Sequence, residues 1–244
     1  MKILNAIYGV YCGLIVAFFY LLTYPFSLLF IQHPKTYRLA HDMNRVWGVF
    51  VHFFTGLLIV RKGNHRFEGP VVYVANHTSY LDISTMFLVI PGYFSIIGKH
   101  ALGQVPLFGP MFRKLYITVN RRSKESRLKS YTDSLKAIDQ GRSLFIFPEG
   151  TIPSKGMPQM MPFKDGAFKV AIEKQIPIVP ICFPYNWIIL PDAEFLKAKW
   201  HKIVMRYHDP IETKGLTDHD IEDLKKRVYN LIDADIKKYN NYDN

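Results

Sequence analysis

The strongest constraint on this chain lies near its N-terminus, where "IYGVYCGLIVAFFYLLTYPFSLLFI" (7–31) runs for 25 positions without a charged residue. As a helix the run is ~37 Å long, enough to cross a ~30 Å hydrocarbon layer. A cleaved signal peptide needs a shorter apolar stretch and a small-residue cleavage site, and "TYPFSLLF" offers neither. The run therefore reads as a retained membrane helix. After "QHPK", apolar residues recur with helical period between Thr36 and Val60, at Leu39, Met43, Val46, Trp47, Phe50, Phe53, Phe54 and Leu57. Arg38, His41, Asp42 and Arg45 occupy the first half of this segment. Its broadly apolar part, "VWGVFVHFFTGLLIV" (46–60), is only ~22 Å long as a helix, short of a return span. The expectation is a helix pair dipping into one leaflet, with Arg38 and Arg45 at the headgroups. Both ends of the pair would then face the cytoplasm, with Lys2, Arg61 and Lys62 on the positive-inside face of the cell's inner or cytoplasmic membrane.

"RKGN" (61–64) marks a boundary, dividing an anchor (1–62) from a second domain (63–244). The pattern beyond it alternates. Strands are expected at 71–75, 116–119, 143–147, 176–183 and within 201–211. Helices are expected from Ser79 to Val89, over a face made by Leu128, Tyr131, Leu135 and Ile138, from Asp165, and from Thr217. The last would carry a Thr217/Asp220 capping box and an inward face of Ile221, Leu224, Val228 and Leu231, with the terminal "NNYDN" fraying. Such alternation specifies an α/β fold with a mostly parallel sheet flanked by helices. A 49% hydrophobic composition supports a core of that size.

Lys and Arg number 31 against 20 Asp and Glu, a net +11 that favours an anionic partner. No nucleic-acid recognition motif is present, so a phosphate-bearing substrate or an anionic membrane is preferred to nucleic acid. Cys12 and Cys182 form neither a disulfide framework nor a metal-ligand pair, and no metal is expected.

Three constellations carry chemistry. "NHTSYLD" (76–82) places Asp82 five residues after His77. Ser79-x-x-Asp82 is a capping box with Asp in place of Glu. Alternatively, His77 lies before the first turn and folds back, so that Asp82 accepts its Nδ1–H and leaves Nε2 as a proton acceptor. "FPEGT" (147–151) follows a buried strand. It is either a tight turn with a solvated Glu149, or a carboxylate that accepts hydrogen bonds from a polyol. "VNRRSKESR" (119–127), with Lys99 upstream, is either a solvated helix start or a phosphate clamp; Arg121, closest to the strand, is the best clamp candidate.

In this order, "NHTSYLD", Arg121, "FPEGT" and "IVPI" resemble the glycerolipid acyltransferase family over roughly residues 71 to 183. The resemblance implies His77 as general base and Asp82 as its partner. It places acceptor binding on Glu149, Gly150 and Thr151, the basic block on Lys99 and Arg121, and the last motif on Val179 and Pro180. Where the family often continues with Arg-Ser after Gly-Thr, this chain has Ile152-Pro153, and Ala101 replaces an acidic residue; phosphate binding then falls to Arg121, Lys99 or Lys164. The implied reaction is acyl transfer from a thioester to the free hydroxyl of lysophosphatidic acid in a membrane of phospholipids, giving phosphatidic acid. The thioester, on acyl carrier protein or coenzyme A, is a co-substrate, and no other cofactor is needed. Backbone N–H groups near Thr78 are the expected oxyanion donors. Glycerol 3-phosphate or another lysophospholipid as acceptor, a thioester hydrolase, and a catalytically silent membrane-binding module are the alternatives.

Overall fold

The computed structural model describes residues 2–64, 67–153, 157–191 and 195–240. The expected fraying of "NNYDN" therefore lies outside the described residues from 241 onward. The uncharged run forms α1 (Lys2–Phe30), and the amphipathic segment forms α2 (Tyr37–Thr55). The two helices are antiparallel and aromatic at their seam. Phe19 stacks on Phe50 and Phe54 with ring centroids 4.8 and 4.9 Å apart. At either end of that seam Tyr8 donates to the Thr55 carbonyl (2.9 Å), and Trp47 Nε1 donates to that of Val16 (3.2 Å).

Gly56 ends α2 in a left-handed conformation (φ 69°), which a side chain disfavours. The next apolar residues are therefore not a continuation of the helix. They form strand β1 (Ile59–Lys62), which lies on the anchor side of the boundary expected at residue 62. Periodicity alone does not distinguish such a short apolar run from helix.

Six further strands follow: β2 (Val72–Ala75), β3 (Phe94–Lys99), β4 (Ile117–Val119), β5 (Ser143–Ile146), β6 (Ile178–Cys182) and β7 (Ile203–Tyr207). They form one seven-stranded sheet in the order β1-β7-β6-β2-β5-β3-β4, parallel at every pairing except β6 with β7. The sheet separates two cores, as the side-chain alternation of β2 shows. Val72 and Val74 face α5 (Lys124–Asp139), α6 (Gly166–Lys174) and α8 (Ile221–Asn240). Tyr73 and Ala75 face α3 (Leu81–Val89), α4 (Phe108–Leu115) and the inner edge of α2. A four-residue helix, α7 (Asn186–Ile189), follows β6.

β3 and α4 were not expected from the pattern. Gly98 interrupts the first, and Pro110 reads as a helix breaker. It lies in the first turn of α4, where its missing N–H costs nothing. On α5 Ile138 is buried and Tyr131 and Leu135 pack against the core as expected, but Leu128 is 65% exposed, and Ser130, Ser134 and Ala137 are buried as well. The Thr217/Asp220 capping box forms as expected, with Ile221, Leu224 and Val228 buried behind it.

A second correction concerns α2. Arg45 does not extend to headgroups. Its guanidinium pairs with Asp42 (2.8 Å) and donates to the carbonyls of Phe87 (3.1 Å), Ile90 (2.8 Å) and Gly92. Those carbonyls end α3, where helix geometry leaves acceptors without partners. Along the same face His41 bonds Tyr116 (2.9 Å) and His52 bonds Ser84 (3.2 Å). Helix α2 is thus docked on the α/β domain over most of its length. Arg45→Ala is expected to lower stability by about 2 kcal/mol, because charge-assisted bonds to buried carbonyls are lost. Thermal unfolding in detergent checks this, and an unchanged midpoint would contradict the docking role.

Candidate active site

The parallel strands all end at the same edge of the sheet, and the chemistry collects there. The chain leaving β2 is pinned first. Asn76 exchanges two hydrogen bonds with the backbone of Phe183 just beyond β6, Nδ2 to the carbonyl (3.0 Å) and Oδ1 from the N–H (2.8 Å). His77 follows, before the first turn of α3. Its Nδ1 lies 2.8 Å from Asp82 Oδ2, and its ring stacks on Phe147, centroids 4.0 Å apart and 13° from parallel. Among the described residues Nε2 has no protein partner.

Asp82 is fully buried, and the same Oδ2 accepts the backbone N–H groups of Thr78 (2.8 Å) and Ser79 (3.0 Å). One carboxylate therefore both caps the helix start and holds the histidine, so the two readings of its spacing coexist. The fourth contact is made by Oδ1, which accepts from Asn186 Nδ2 (2.7 Å).

The N–H groups expected to serve as an oxyanion hole are taken. Thr78 and Ser79 donate to Asp82, and His77 donates its N–H to Glu149 Oε1 (2.8 Å). The expectation fails because a buried carboxylate at a helix start recruits the nearest free donors.

Glu149 also departs from its expected role. It is 1% exposed, and its other oxygen accepts the N–H of Met161 (2.8 Å). It is neither a solvated turn residue nor a carboxylate open to a polyol. It fastens the histidine loop to the segment that follows the Phe-Pro-Glu-Gly-Thr turn. Burial pushes its pKa up to about 7, partly offset by the His77 and Met161 N–H groups.

Beside this cluster lies a cavity of about 330 Å³ between the sheet and helices α5 and α6. Ile97, Val119, Ile146, Ala167 and Val170 make it apolar; Phe147, which carries the His77 ring on its face, forms part of its wall. Arg121, Arg127 and Lys164 supply its cationic lining. The Arg121 guanidinium donates to the Gly150 carbonyl, joining the basic block to the turn. Gly150 has φ 81°, and a Cβ there would strike that guanidinium. Burial lowers the Arg121 pKa, and burial followed by the charge of Arg121 lowers that of Lys164. The two cations thus lie near enough for the charge of one to act on the other.

The other expected residues are less central. Lys99 is exposed at the end of β3 and makes no hydrogen bond or ion pair among the described residues. Thr151 is exposed, and among the described residues its hydroxyl bonds only the next carbonyl (3.4 Å). Val179 and Pro180 are buried in β6, where they pair with Tyr73 and Val74 and support the loop from below. Asn76 and Asn186 were missed. Asn76 adjoins the histidine motif, but Asn186 is held there only by the pairing of β2 with β6. Ser79 donates its hydroxyl to the Leu190 carbonyl (2.6 Å), and Cys182 is buried, so neither is poised as a nucleophile. No group of three or more His, Cys, Asp or Glu able to hold a metal occurs among the described residues.

Residues 56–184, more than half of the chain, match the acyltransferase family, and the chain belongs to it. Relatives are more specific. The chain is 33% identical over 175 residues to a putative 1-acyl-sn-glycerol-3-phosphate acyltransferase of Caenorhabditis elegans, covering 70% of this chain and 61% of that protein. It is 30% identical over 191 residues to 1-acyl-sn-glycerol-3-phosphate acyltransferase alpha of Homo sapiens, covering 75% and 65%. It thus spans less than two thirds of either relative's length. The crystal structure of the 1-acyl-sn-glycerophosphate (LPA) acyltransferase from Thermotoga maritima shares the fold, with a TM-score of 0.75 at 19% identity over 98% of both chains.

The raised Glu149 pKa has a measurable consequence. Its folded value, about 7, stands above the ordinary 4.5, so the stability it confers is complete below about pH 4.5 and lost as pH rises through about 7. Relative to Glu149→Gln, wild-type unfolding free energy is expected to fall by roughly 3 kcal/mol across that window. Equilibrium denaturation in detergent on either side of the window reads this; a pH-independent difference would refute the shift.

Proposed function

We propose that the chain transfers an acyl group from a thioester to the hydroxyl of a phosphate-bearing lysolipid, with lysophosphatidic acid as acceptor and phosphatidic acid as product. The observation that carries this reading is the His77–Asp82 pair at 2.8 Å, its Nε2 without a partner among the described residues, beside an apolar cavity lined by Arg121 and Lys164. A base without a protein nucleophile requires the substrate to supply the attacking oxygen. The names of the curated relatives support the choice of acceptor.

In the mechanism, His77 Nε2 takes the hydroxyl proton as the acceptor oxygen attacks the thioester carbonyl. Asp82 holds the ring and stabilises the imidazolium. The tetrahedral intermediate collapses with cleavage of the C–S bond, and the proton on His77 passes to the departing thiolate. Acyl carrier protein or coenzyme A is the carrier, and no further cofactor enters. The acceptor phosphate lies against Arg121 and Lys164, and an acyl chain enters the cavity. Glu149 and Gly150 shape this site from behind; Thr151 and Lys99 lie at its margin, where Lys99 adds positive charge.

The helix pair embeds in one leaflet, with the α/β domain on the cytoplasmic side. Helix α1 is long and apolar enough to cross a membrane, and only 17% of its most apolar stretch is buried. Leu14, Phe18 and Phe53 are 65%, 60% and 75% exposed, an apolar surface that water does not favour. Because α2 is fastened to the α/β domain from His41 to His52, it cannot cross the bilayer without taking polar surface along. Acceptor and product then stay in the lipid phase, where each buried methylene contributes ~0.8 kcal/mol.

Purified His77→Ala is expected to lose nearly all acyl transfer while keeping its fold, and Asp82→Asn to be severely impaired. In the same assay Arg121→Ala should raise KM for lysophosphatidic acid far more than for the donor. Substantial turnover by His77→Ala would end the general-base reading. Release of free acid without an acceptor would identify a hydrolase, and an equal loss on phosphate-free acceptors would remove Arg121 from the phosphate. For topology, a single cysteine at Lys35, with Cys12 and Cys182 replaced, should resist a membrane-impermeant thiol reagent applied to intact cells. Labelling from outside would overturn the one-leaflet arrangement.

A further inference from the structure

We infer that Asn186 is a positioning residue for the proton transfer at His77, acting through Asp82. The inference rests on the general-base reading above and extends it to a residue outside every motif of the sequence. Three donors converge on Asp82 Oδ2: His77 Nδ1, Thr78 N–H and Ser79 N–H. All three belong to the short loop that precedes the aspartate itself. They meet one oxygen and leave the other without a donor from that loop. Oδ1 has a single partner, Asn186 Nδ2 at 2.7 Å. Among the described residues that contact is the only one from a distant part of the chain, and it restrains the carboxylate from outside its own loop.

The chemistry of the partner fits the task. An ionised carboxylate only accepts, so the amide must present its nitrogen. Both residues are fully buried, and an anionic oxygen left there without a donor is costly. An amide supplies the hydrogen bond without supplying charge. A Lys or Arg in its place would neutralise the carboxylate and weaken its stabilisation of the imidazolium. Asn186 thus saturates Asp82 and leaves its charge directed at His77.

The fold dictates the placement. Asn186 opens α7 just after β6, and the histidine loop leaves the adjacent strand β2, with Ala75 in register with Ile181. The two hydrogen bonds between Asn76 and Phe183 tie the same two segments together three residues before Asn186. The catalytic carboxylate is therefore held jointly by the chains leaving two neighbouring strands.

The test uses the purified full-length protein in lipid–detergent mixed micelles, with Asn186→Leu and Asn186→Asp compared with wild type and His77→Ala. For Asn186→Leu, kcat is expected to fall roughly 10- to 100-fold, with KM for acceptor and donor nearly unchanged, as for loss of an outer hydrogen-bond partner. Its acid limb in the kcat–pH profile should move to higher pH, because Asp82 without its neutral donor is the stronger base and holds the His77 proton more tightly. Asn186→Asp should recover activity as pH falls, since a protonated carboxyl can donate to Asp82 whereas an ionised one repels it. This variant keeps the test decisive if Asn186→Leu fails to fold. Folded Asn186→Leu with wild-type kcat and acid limb would overturn the proposal, as would an Asn186→Asp loss that does not change with pH. His77→Ala separates the two ideas: retained turnover there removes the general base itself, whereas its inactivity beside a wild-type Asn186→Leu removes only Asn186.

Discussion

The site depends on burying one ionised carboxylate. Asp82 has no exposure to water, and an anion so placed is tolerable only when its lone pairs are met. Meeting them organises everything nearby. The loop after β2 must bend to aim the Thr78 and Ser79 N–H groups inward, which brings His77 to the same oxygen. The remaining oxygen requires a donor from elsewhere, and the chain leaving β6 supplies Asn186. Glu149 repeats the arrangement one layer away, holding the His77 and Met161 N–H groups. Two buried carboxylates thus replace the backbone partners that an irregular loop would otherwise lack.

Much of this was legible locally. Apolar period and turn residues located α1, α2, five of the strands and the capping box at Thr217, because each depends on neighbours in sequence. His77 and Asp82 were legible for the same reason, being five positions apart. What escaped was set by distant contacts. β3 and α4 contain Gly98 and Pro110, which local rules count as breakers and the packed fold accommodates. Leu128 reads as core but lies where α5 has turned it outward. The direction in which the Glu149 carboxylate points depends on where Met161 comes to rest, and Asn186 on the pairing of β2 with β6. Arg45 gave the wrong picture for an instructive reason: a charge beside an apolar stretch suits a headgroup and a helix C-terminus equally well, and only the tertiary structure chooses.

The helix pair is thereby divided in purpose. Helix α1 presents large apolar side chains outward, whereas α2 gives one face to α1 and the other to the α/β domain. Aromatic stacking at the first seam and hydrogen bonds at the second make α2 a shared wall. The position of the catalytic edge relative to α1 is consequently fixed by packing and not by a linker.

The pairing of β1 with β7 bears on how the chain is made. Ile59 leaves the ribosome immediately behind the helix pair, yet its register partner is Ile203. Both helices of the pair therefore leave the ribosome while most of the sheet is still unsynthesised. The edge nearest the helix pair must wait, with its hydrogen-bonding groups uncovered, until the chain has emerged through β7. Domains form as units during synthesis, and pairings between remote segments close slowly. Assembly would run from the helix pair inward and end where it began, with β7 sealing β1.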